Sequence, residues 1–230
     1  MGRIIERSMI NWNNIDTVFL DMDGTLLDLH YDNYFWLTHL PRRFAEIKAI
    51  TEQDARETMH RMFRQLEGTL NWYCFDHWAT TLDIDLISLK NEVKDKIAFR
   101  PSAEAFLNAL QNQNYDVALV TNSHRAGVEI KMAETSLGSY IQEVVSSHDL
   151  GLPKEEPQFW QRLNAVRSYD PSRTLFIDDN ESVLASAKQA GVEHLAFIAK
   201  PDSRRDARQH DEFFTVHDFQ DIMPIEVADG

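Results

Sequence analysis

Five short runs of apolar and β-branched residues, separated by helical stretches, constrain the fold of this chain more than any other feature. They cover residues 17–20, 116–120, 143–145, 174–177 and 194–198. Because most of the runs are almost continuously apolar rather than alternating, they are typical of strands buried on both faces. Their alternation with helices predicts an α/β fold with a doubly wound parallel sheet.

The stretches between these runs have an apolar spacing near that of an α-helix. The spacing predicts helices over residues 103–111, 125–137, 157–167 and 181–190. Gly138 and Gly191 directly follow the second and the fourth of them, and glycine is a common residue just past a helix end.

Residues 28–100, called the insert below, depart from this alternation. They contain no clear strand pattern, their sequence predicts helices, and they are rich in aromatic residues. We therefore predict an α/β core domain from residues 1–27 and 101–230, and a helical cap domain from residues 28–100. Ligands of open α/β sheets bind outside the carboxyl ends of the strands. A cap at that edge would cover the site.

Charge and composition exclude several classes of protein. The 230 residues include 23 Lys and Arg against 37 Asp and Glu, a net charge of −14, which argues against nucleic acid as a partner. One cysteine precludes an intramolecular disulfide, which fits a reducing compartment. Because no run approaches the ~18 apolar residues of a membrane span and residues 1–14 lack a leader-like apolar stretch, we expect a cytoplasmic protein without membrane contact. No obligate protein partner is evident from the sequence.

Acidic residues follow the first and the fourth apolar runs. Asp21 and Asp23 come directly after the first run and precede Gly24, which allows a tight turn. Asp178 and Asp179 follow the fourth run, where they could also be plain helix caps. A calcium loop is excluded at the first position, because an EF-hand needs its glycine at loop position six together with further oxygen ligands.

Polar residues also follow the second and the third runs. Thr121 and Asn122 come after the second, and Lys154 lies in the loop after the third. Each of these alone is an ordinary cap or surface residue. Because all four groups fall at the carboxyl ends of parallel strands, they converge on one edge of the sheet.

In this order, the groups resemble all four motifs of the haloacid dehalogenase (HAD) superfamily of phosphohydrolases, over nearly the whole chain. The resemblance implies a HAD-like Rossmannoid core, with Asp21 as the nucleophile that forms an aspartyl-phosphate. It also implies that Asp23 is the general acid and base, and that Thr121 and Lys154 hold the phosphoryl oxygens with help from the Asn122 backbone. An acid at position 23 favours phosphoester chemistry, because the dehalogenases lack one there.

Four converging carboxylates need a cation, since each like-charged pair at about 4 Å costs roughly 4 kcal/mol at an effective dielectric of 20. Oxygen ligands favour Mg²⁺. The resemblance implies that Asp21, the Asp23 carbonyl and one or both of Asp178 and Asp179 bind it, and we favour Asp179 as the direct ligand.

Two aromatic segments of the insert, residues 27–36 and 70–78, suggest the substrate. Their rings could simply fill the core of a small helical domain. Polar residues lie between the rings, however, as would suit a nucleobase and ribose, and the segments resemble the purine nucleotidase branch of the superfamily. The candidate base-binding residues are Asn33, Trp36, Asn71 and Trp72.

The sequence therefore predicts a Mg²⁺-dependent phosphomonoesterase, most simply a purine 5′-nucleotidase acting on GMP or IMP. Its partner would be a small phosphomonoester. Two alternatives stay open: a sugar-phosphate phosphatase or phosphomutase on the same core, and a catalytically silent binding module of the same fold.

Overall fold

The computed structural model describes residues 10–224, and its centre is a parallel sheet of six strands. The strands are β1 (Thr17–Leu20), β2 (Asp116–Thr121), β3 (Val144–Ser146), β4 (Thr174–Asp178), β5 (His194–Ile198) and β6 (Phe214–Val216). Their order across the sheet is β3-β2-β1-β4-β5-β6. The chain runs outward from β1 to β3 and then returns to the other side of β1 with β4. Such a switch point is where open α/β sheets bind their ligands.

The helices divide between the insert and the core. In the insert they are α1 (His30–Tyr34), α2 (Leu40–Lys48), α3 (Glu52–Leu66), α4 (Leu70–Tyr73), α5 (Phe75–Leu82) and α6 (Leu86–Asn91), with a π-helical turn at Phe35–His39. In the core they are α7 (Ala103–Asn112), α8 (Arg125–Glu134), α9 (Leu137–Tyr140), α10 (Ser147–Leu150), α11 (Pro157–Val166) and α12 (Glu181–Gln189). Short 3₁₀ turns lie at Trp12–Asn14, Lys94–Lys96, Pro171–Arg173 and Phe219–Ile222.

Both faces of the sheet are buried, as the continuous apolar runs predict. Val18 and Leu20 of β1 face one hydrophobic cluster, which includes α7 residues, and Phe19 faces a second cluster that includes residues of α11 and α12. Burial of a side chain of this size contributes about 1.5–3 kcal/mol. Helices on both faces therefore hold β1 in the middle of the molecule.

The insert has its own hydrophobic cluster, drawn from residues between Tyr31 and Val93. It leaves and rejoins the core at one place, where the Asp28 amide donates to the Ala98 carbonyl at 2.8 Å and the Arg100 amide donates to the Leu26 carbonyl at 2.9 Å. The two crossings lie side by side immediately after β1, at the carboxyl edge of the sheet.

The doubly wound parallel sheet is confirmed, and the five predicted runs match β1 to β5 to within one residue at each end. The predicted end of one helix is wrong. Helix α8 stops at Glu134, and Gly138 lies inside α9 rather than after a helix. Extended backbone at Thr135 breaks the helix, and the Thr135 hydroxyl donates to the Lys131 carbonyl at 2.8 Å. Within residues 10–224, no helix combines the length and apolar character that crossing a membrane requires.

Candidate active site

The register of the sheet places the predicted polar residues at one edge. Leu20, the last residue of β1, is level with Leu119 of β2 and Ile177 of β4. Asp21 therefore follows β1 beside Asp178, which ends β4. Thr121 ends β2, one residue further along, and all three side chains line one cavity.

Lys154 joins two of the carboxylates from the opposite side. Its Nζ donates to Asp21 Oδ1 at 2.6 Å, to Asp178 Oδ2 at 2.7 Å and to the Val120 carbonyl at 3.0 Å. These contacts use all three N–H donors of the ammonium. Burial alone would lower the pKa of Lys154, but Asp178 and Asp21 outweigh it and raise that pKa above its ordinary value. Lys154 is therefore a fixed positive charge beside Asp21.

The loop that carries Lys154 is held by side-chain contacts that the sequence analysis did not identify. Asn122 Oδ1 accepts from the Lys154 amide at 2.9 Å, and Asn122 Nδ2 donates to Glu155 Oε2 at 2.9 Å. The Tyr73 hydroxyl of the insert donates to Glu155 Oε1 at 2.6 Å. Asn122 thus orients Lys154 through its side chain, in addition to lining the cavity.

Three carboxylates gather in a way that suits a divalent cation. One oxygen each of Asp21, Asp178 and Asp179 lies within 4.8 Å of the others. Burial raises the pKa of Asp21 to about 7, that of Asp178 to about 6 and that of Asp179 to about 7, and mutual repulsion adds to each of these shifts. If all three are ionised, Lys154 leaves the group with a formal charge of −2. An all-oxygen set with this charge fits a hard ion such as Mg²⁺.

Gly24 allows this cluster to close. Its φ of +84° is left-handed, and a Cβ at this position would lie 2.8 Å from Asp179 Cγ and 2.9 Å from Pro201 Cβ. Any larger residue would be strained and would also displace Asp179. The glycine after the two acids is therefore required by packing as well as by the turn.

The side chain of Asp23 belongs to a different set of contacts, which the sequence analysis also missed. Asp23 Oδ1 accepts from Lys131 Nζ at 2.5 Å, and the same Nζ donates to Asp32 Oδ2 at 2.7 Å. Lys90 Nζ donates to the other oxygen of Asp32 at 2.7 Å. Both lysines are buried. A continuous chain of ion pairs therefore runs from the core through Asp23 and Lys131 to Asp32 and Lys90 of the insert.

The pKa values of the two carboxyl groups in these ion pairs, Asp23 and Asp32, are shifted in opposite directions. Burial raises the pKa of Asp23, and Lys131 offsets that effect only in part. For Asp32 burial acts in the same direction, but Lys131 and Lys90 outweigh it and hold the pKa below its ordinary value. The lysines therefore favour the ionised form of Asp32, whereas Asp23 takes up a proton more readily than an ordinary aspartate. That difference is what a general acid needs.

One cavity of about 300 Å³ unites these groups with the insert. The sheet edge supplies polar residues, and the insert supplies rings. The aromatic residues of its wall are Trp36, Phe63, Trp72, Tyr73, Phe75 and Trp78. A pocket with one polar side and one aromatic side suits a ligand that has a charged group and a flat apolar group.

The four candidate base-binding residues fall in different places. Trp36 and Trp72 line the cavity, although both also pack edge-on against Phe63. Asn33 lines the cavity as well, but its Nδ2 donates to Asp202 Oδ2 at 2.7 Å. Asn71 is exposed, and the structure does not bring it to the cavity wall.

The sequence is similar to known proteins over most of its length. The family model described as haloacid dehalogenase-like hydrolase matches residues 18–197. The chain belongs to this family. It is 34% identical over 215 residues to the GMP/IMP nucleotidase YrfG of Escherichia coli K12, which covers 94% of this chain and 97% of the relative. This HAD-family chain is a phosphatase.

Solved structures of the family share the fold. The crystal structure of a HAD phosphatase from Thermococcus onnurineus has a TM-score of 0.73 at 20% identity and covers 90% of this chain and 95% of its own. The magnesium-bound HAD-family protein YfnB of Bacillus subtilis has a TM-score of 0.62 at 16% identity, over 90% and 96% of the two chains. The HAD fold therefore extends over both the core and the insert.

Proposed function

We propose that this phosphatase is a Mg²⁺-dependent purine 5′-nucleotidase that hydrolyses GMP or IMP through an aspartyl-phosphate. The observation that carries the proposal is that one cavity is lined by Asp21, Asp178 and Asp179 on one side and by the aromatic side chains of the insert on the other. The likeness to a GMP/IMP nucleotidase over 97% of that relative's length supports the choice of base.

In the first half-reaction, an oxygen of Asp21 attacks the phosphorus atom, and the bond from phosphorus to the nucleoside O5′ breaks. The departing oxygen takes the proton from Asp23, whose pKa burial has raised. In the second half-reaction, Asp23 accepts a proton from water as that water attacks the aspartyl-phosphate. Phosphate leaves, and Asp21 is again a carboxylate.

The Thr121 hydroxyl would donate to a phosphoryl oxygen during both steps, and Lys154 Nζ would exchange one of its three present acceptors for another phosphoryl oxygen. Lys154 Nζ already lies 2.6 Å from the attacking carboxylate, so its positive charge is next to the phosphoryl group that Asp21 attacks. Thr121 is buried at the end of β2, and the Asn122 side chain orients the lysine loop. None of these groups has to be brought in from solvent.

The residues that would hold Mg²⁺ are Asp21, Asp178 and Asp179, together with the backbone carbonyl of Asp23. Both oxygens of Asp178 are already engaged, one by Lys154 Nζ at 2.7 Å and one by the Asn180 amide at 2.8 Å. Asp179 has no such short contact on its carboxylate in the described residues, which favours it as the direct ligand. The ion would supply charge neutralisation for the phosphoryl oxygens.

The insert would act as a cap that selects the substrate. Its aromatic side chains form the wall opposite the carboxylates, and its Tyr73 hydroxyl contacts Glu155 beside the lysine. A purine ring offers two flat faces to such a wall, and stacking contributes about 1–3 kcal/mol per base. We propose residues 28–100 as the boundaries of this cap.

The test is phosphate release from a panel of phosphomonoesters, measured with Mg²⁺ and with EDTA. The panel contains GMP, IMP, AMP, UMP, glucose 1-phosphate and phosphoglycolate. We expect GMP and IMP to have the highest kcat/KM, at least about 10-fold above the sugar phosphate, a ratio worth ~1.4 kcal/mol. EDTA should reduce turnover to background, and added Mg²⁺ should restore it.

Each alternative gives a different result in the same panel. Faster release from glucose 1-phosphate than from any nucleotide would point to a sugar-phosphate phosphatase. An isomeric sugar phosphate with little free phosphate would indicate a phosphomutase. Turnover that survives EDTA treatment would contradict the metal assignment, and failure to turn over any nucleotide would contradict the nucleotidase assignment.

Replacement of Trp72 should weaken nucleotide binding selectively. Trp72→Leu removes a ring from the cavity wall but keeps an apolar residue against Phe63 and Trp78. We expect KM for GMP to rise about 10-fold, since a lost stacking contact costs about 1–3 kcal/mol. KM for p-nitrophenyl phosphate should change less than about threefold under the same conditions.

The matched control is Trp12→Leu. Trp12 packs on Phe106 and Tyr115 and does not line the cavity. Both KM values should stay within about twofold of the parent. If Trp72→Leu changes both substrates equally, the ring is only part of the insert core, and the base lies elsewhere.

A further inference from the structure

A second group of side chains of the types that bind metals lies at the contact between the insert and the core, apart from Asp21, Asp178 and Asp179, which are called the acidic cluster below. One ligand atom each of Cys74, His124 and His148 lies within 4.8 Å of the other two. Cys74 sits between α4 and α5 of the insert, His124 precedes α8, and His148 is in α10. Three separate segments therefore bring one sulfur and two imidazoles together.

His148 is the least satisfied member of this cluster. Its Nε2 is buried and has no hydrogen-bond partner among the residues that the structure describes. A buried polar atom without a partner costs about 1–3 kcal/mol. An ion bound to Nε2 would give this nitrogen the partner that the described residues do not supply.

Asp76 adds a fourth donor within reach. Its Oδ2 lies 3.6 Å from His124 Nε2, and its side chain is exposed and free to turn. Neighbouring ligands of a tetrahedral Zn²⁺, at about 2.0–2.3 Å from the ion, lie roughly 3.3–3.8 Å apart. The separations among Cys74, His124 and His148 are thus within about 1 Å of those of a bound ion, and Asp76 would have to turn to complete the set.

We propose that Cys74, His124 and His148 form a zinc site, with Asp76 as the fourth ligand, that links the insert to the core. Sulfur and imidazole nitrogen are the donors that Zn²⁺ takes, whereas Mg²⁺ takes oxygen. On binding, the Cys74 sulfur bonds to the ion and the thiol proton passes to the buffer. No electron transfer is involved.

Such a link would restrain the cap. Tyr73 and Phe75, on either side of Cys74, line the active-site cavity, and the Phe75 ring stacks on His124 at 5.5 Å. His124 lies two residues beyond Asn122 in the loop that follows β2. An ion bound here ties that loop to the cavity wall of the insert. Zinc at this site should therefore slow turnover, because opening or product release commonly limits enzymes with lids.

Titration with Co²⁺ tests the site directly, because a cobalt–thiolate bond gives a charge-transfer absorption band that oxygen ligands do not. Cys74 is the one cysteine of the chain, so any such band reports on it. We expect the band to saturate at one equivalent and Zn²⁺ to remove it. Cys74→Ser should abolish it, and His124→Gln and His148→Gln should each weaken Co²⁺ binding at least about 10-fold.

Two further variants separate this site from the acidic cluster. Asp21→Asn should keep the band unchanged, since Asp21 belongs to the other cluster. His60→Gln, on the exposed face of α3, controls for the general loss of a histidine. Absence of the band at saturating Co²⁺, or equal affinity in both His variants and the parent, would overturn the site.

Inhibition by Zn²⁺ tests whether an ion bound at this site restrains the cap. The substrate is p-nitrophenyl phosphate, and Mg²⁺ is present throughout. Zn²⁺ should inhibit the parent at concentrations at least about 10-fold lower than those that inhibit Cys74→Ser. Equal inhibition of both would mean that Zn²⁺ acts at the acidic cluster, and the restraint would be wrong. The absorption band does not depend on phosphatase activity, so a failure of the nucleotidase assignment leaves this test intact.

Discussion

Asp21→Asn should abolish turnover while leaving the protein folded. The amide keeps the shape of the side chain beside Lys154 but cannot form an aspartyl-phosphate. We expect kcat for GMP and for p-nitrophenyl phosphate to fall at least about 10³-fold, as is typical when a nucleophile is removed. Steady-state phosphate release measures the loss, and acid-quenched enzyme should carry no phosphate.

The stability of the same variant shows that the loss is chemical. Burial raises the pKa of Asp21 to about 7, with Lys154 offsetting the effect only in part. Ionisation of a group whose folded pKa is raised costs stability at every pH above its ordinary value. A neutral amide removes that cost. The melting temperature of Asp21→Asn in EDTA at pH 8 should therefore equal or exceed that of the parent.

Asp16→Asn is the matched control, because it makes the same change just before the other end of β1. Asp16 is exposed and pairs with Arg173, far from the cavity lining. Its kcat should stay within about twofold of the parent. If Asp21→Asn kept more than about a tenth of parental kcat, Asp21 could not be the nucleophile, and the mechanism above would fail.

The sequence was sufficient to predict the sheet and its polar edge, because both depend on local patterns. A strand buried on both faces is apolar along most of its length, as Val18, Phe19 and Leu20 are in Thr17–Leu20, and the carboxyl ends of parallel strands lie at the same edge. Once β1 and β4 are recognised as parallel strands, Asp21 and Asp178 have to lie at the same edge, and the pairing of β1 with β4 then makes them neighbours. The acids could thus be placed before any contact was known.

The rest of the site depends on long-range packing that leaves no local pattern. Lys131 lies in the last turn of α8, where a lysine is favoured by the helix dipole and is usually exposed. Only the placement of the insert buries it between Asp23 and Asp32. Likewise, nothing in the sequence near Glu155 indicates that it links Asn122 to Tyr73.

Lys131→Met should damage the acid step more than any other part of the reaction. Lys131 holds Asp23 at 2.5 Å and also binds Asp32 of the insert, so its loss frees the carboxyl group that must face the departing oxygen. General acid catalysis contributes about 10²–10⁴-fold. We expect release of the nucleoside from GMP to fall about 10²-fold, because an alkoxide needs a proton to leave.

Release of p-nitrophenolate, a stable anion, needs no such proton and should fall less than about 10-fold. Because Asp23 also serves as the base in the second half-reaction, the two esters have to be compared in the first half-reaction alone. Rapid-quench measurement of leaving-group release in a single turnover isolates that half-reaction. Lys131→Arg, which keeps the positive charge, should recover part of the rate for GMP.

Lys94→Met is the matched control, since Lys94 pairs with Glu134 at the surface and has a side chain 47% exposed. Its rates should match the parent for both esters. Lys131→Met leaves Asp23 and Asp32 without their shared cation, so Asp32→Asn provides a milder second variant that keeps the contact between Lys131 and Asp23.

Equal losses for GMP and p-nitrophenyl phosphate in Lys131→Met would mean that the lysine only holds the fold together. A larger loss for GMP in both Lys131→Met and Asp32→Asn would show that the ion pairs joining Asp23, Lys131 and Asp32 act in the acid step. The acid would then be fully aligned only while Asp32 of the insert shares Lys131 with it. Closure of the insert and readiness of Asp23 to donate its proton would be one event, because a single buried lysine is common to both.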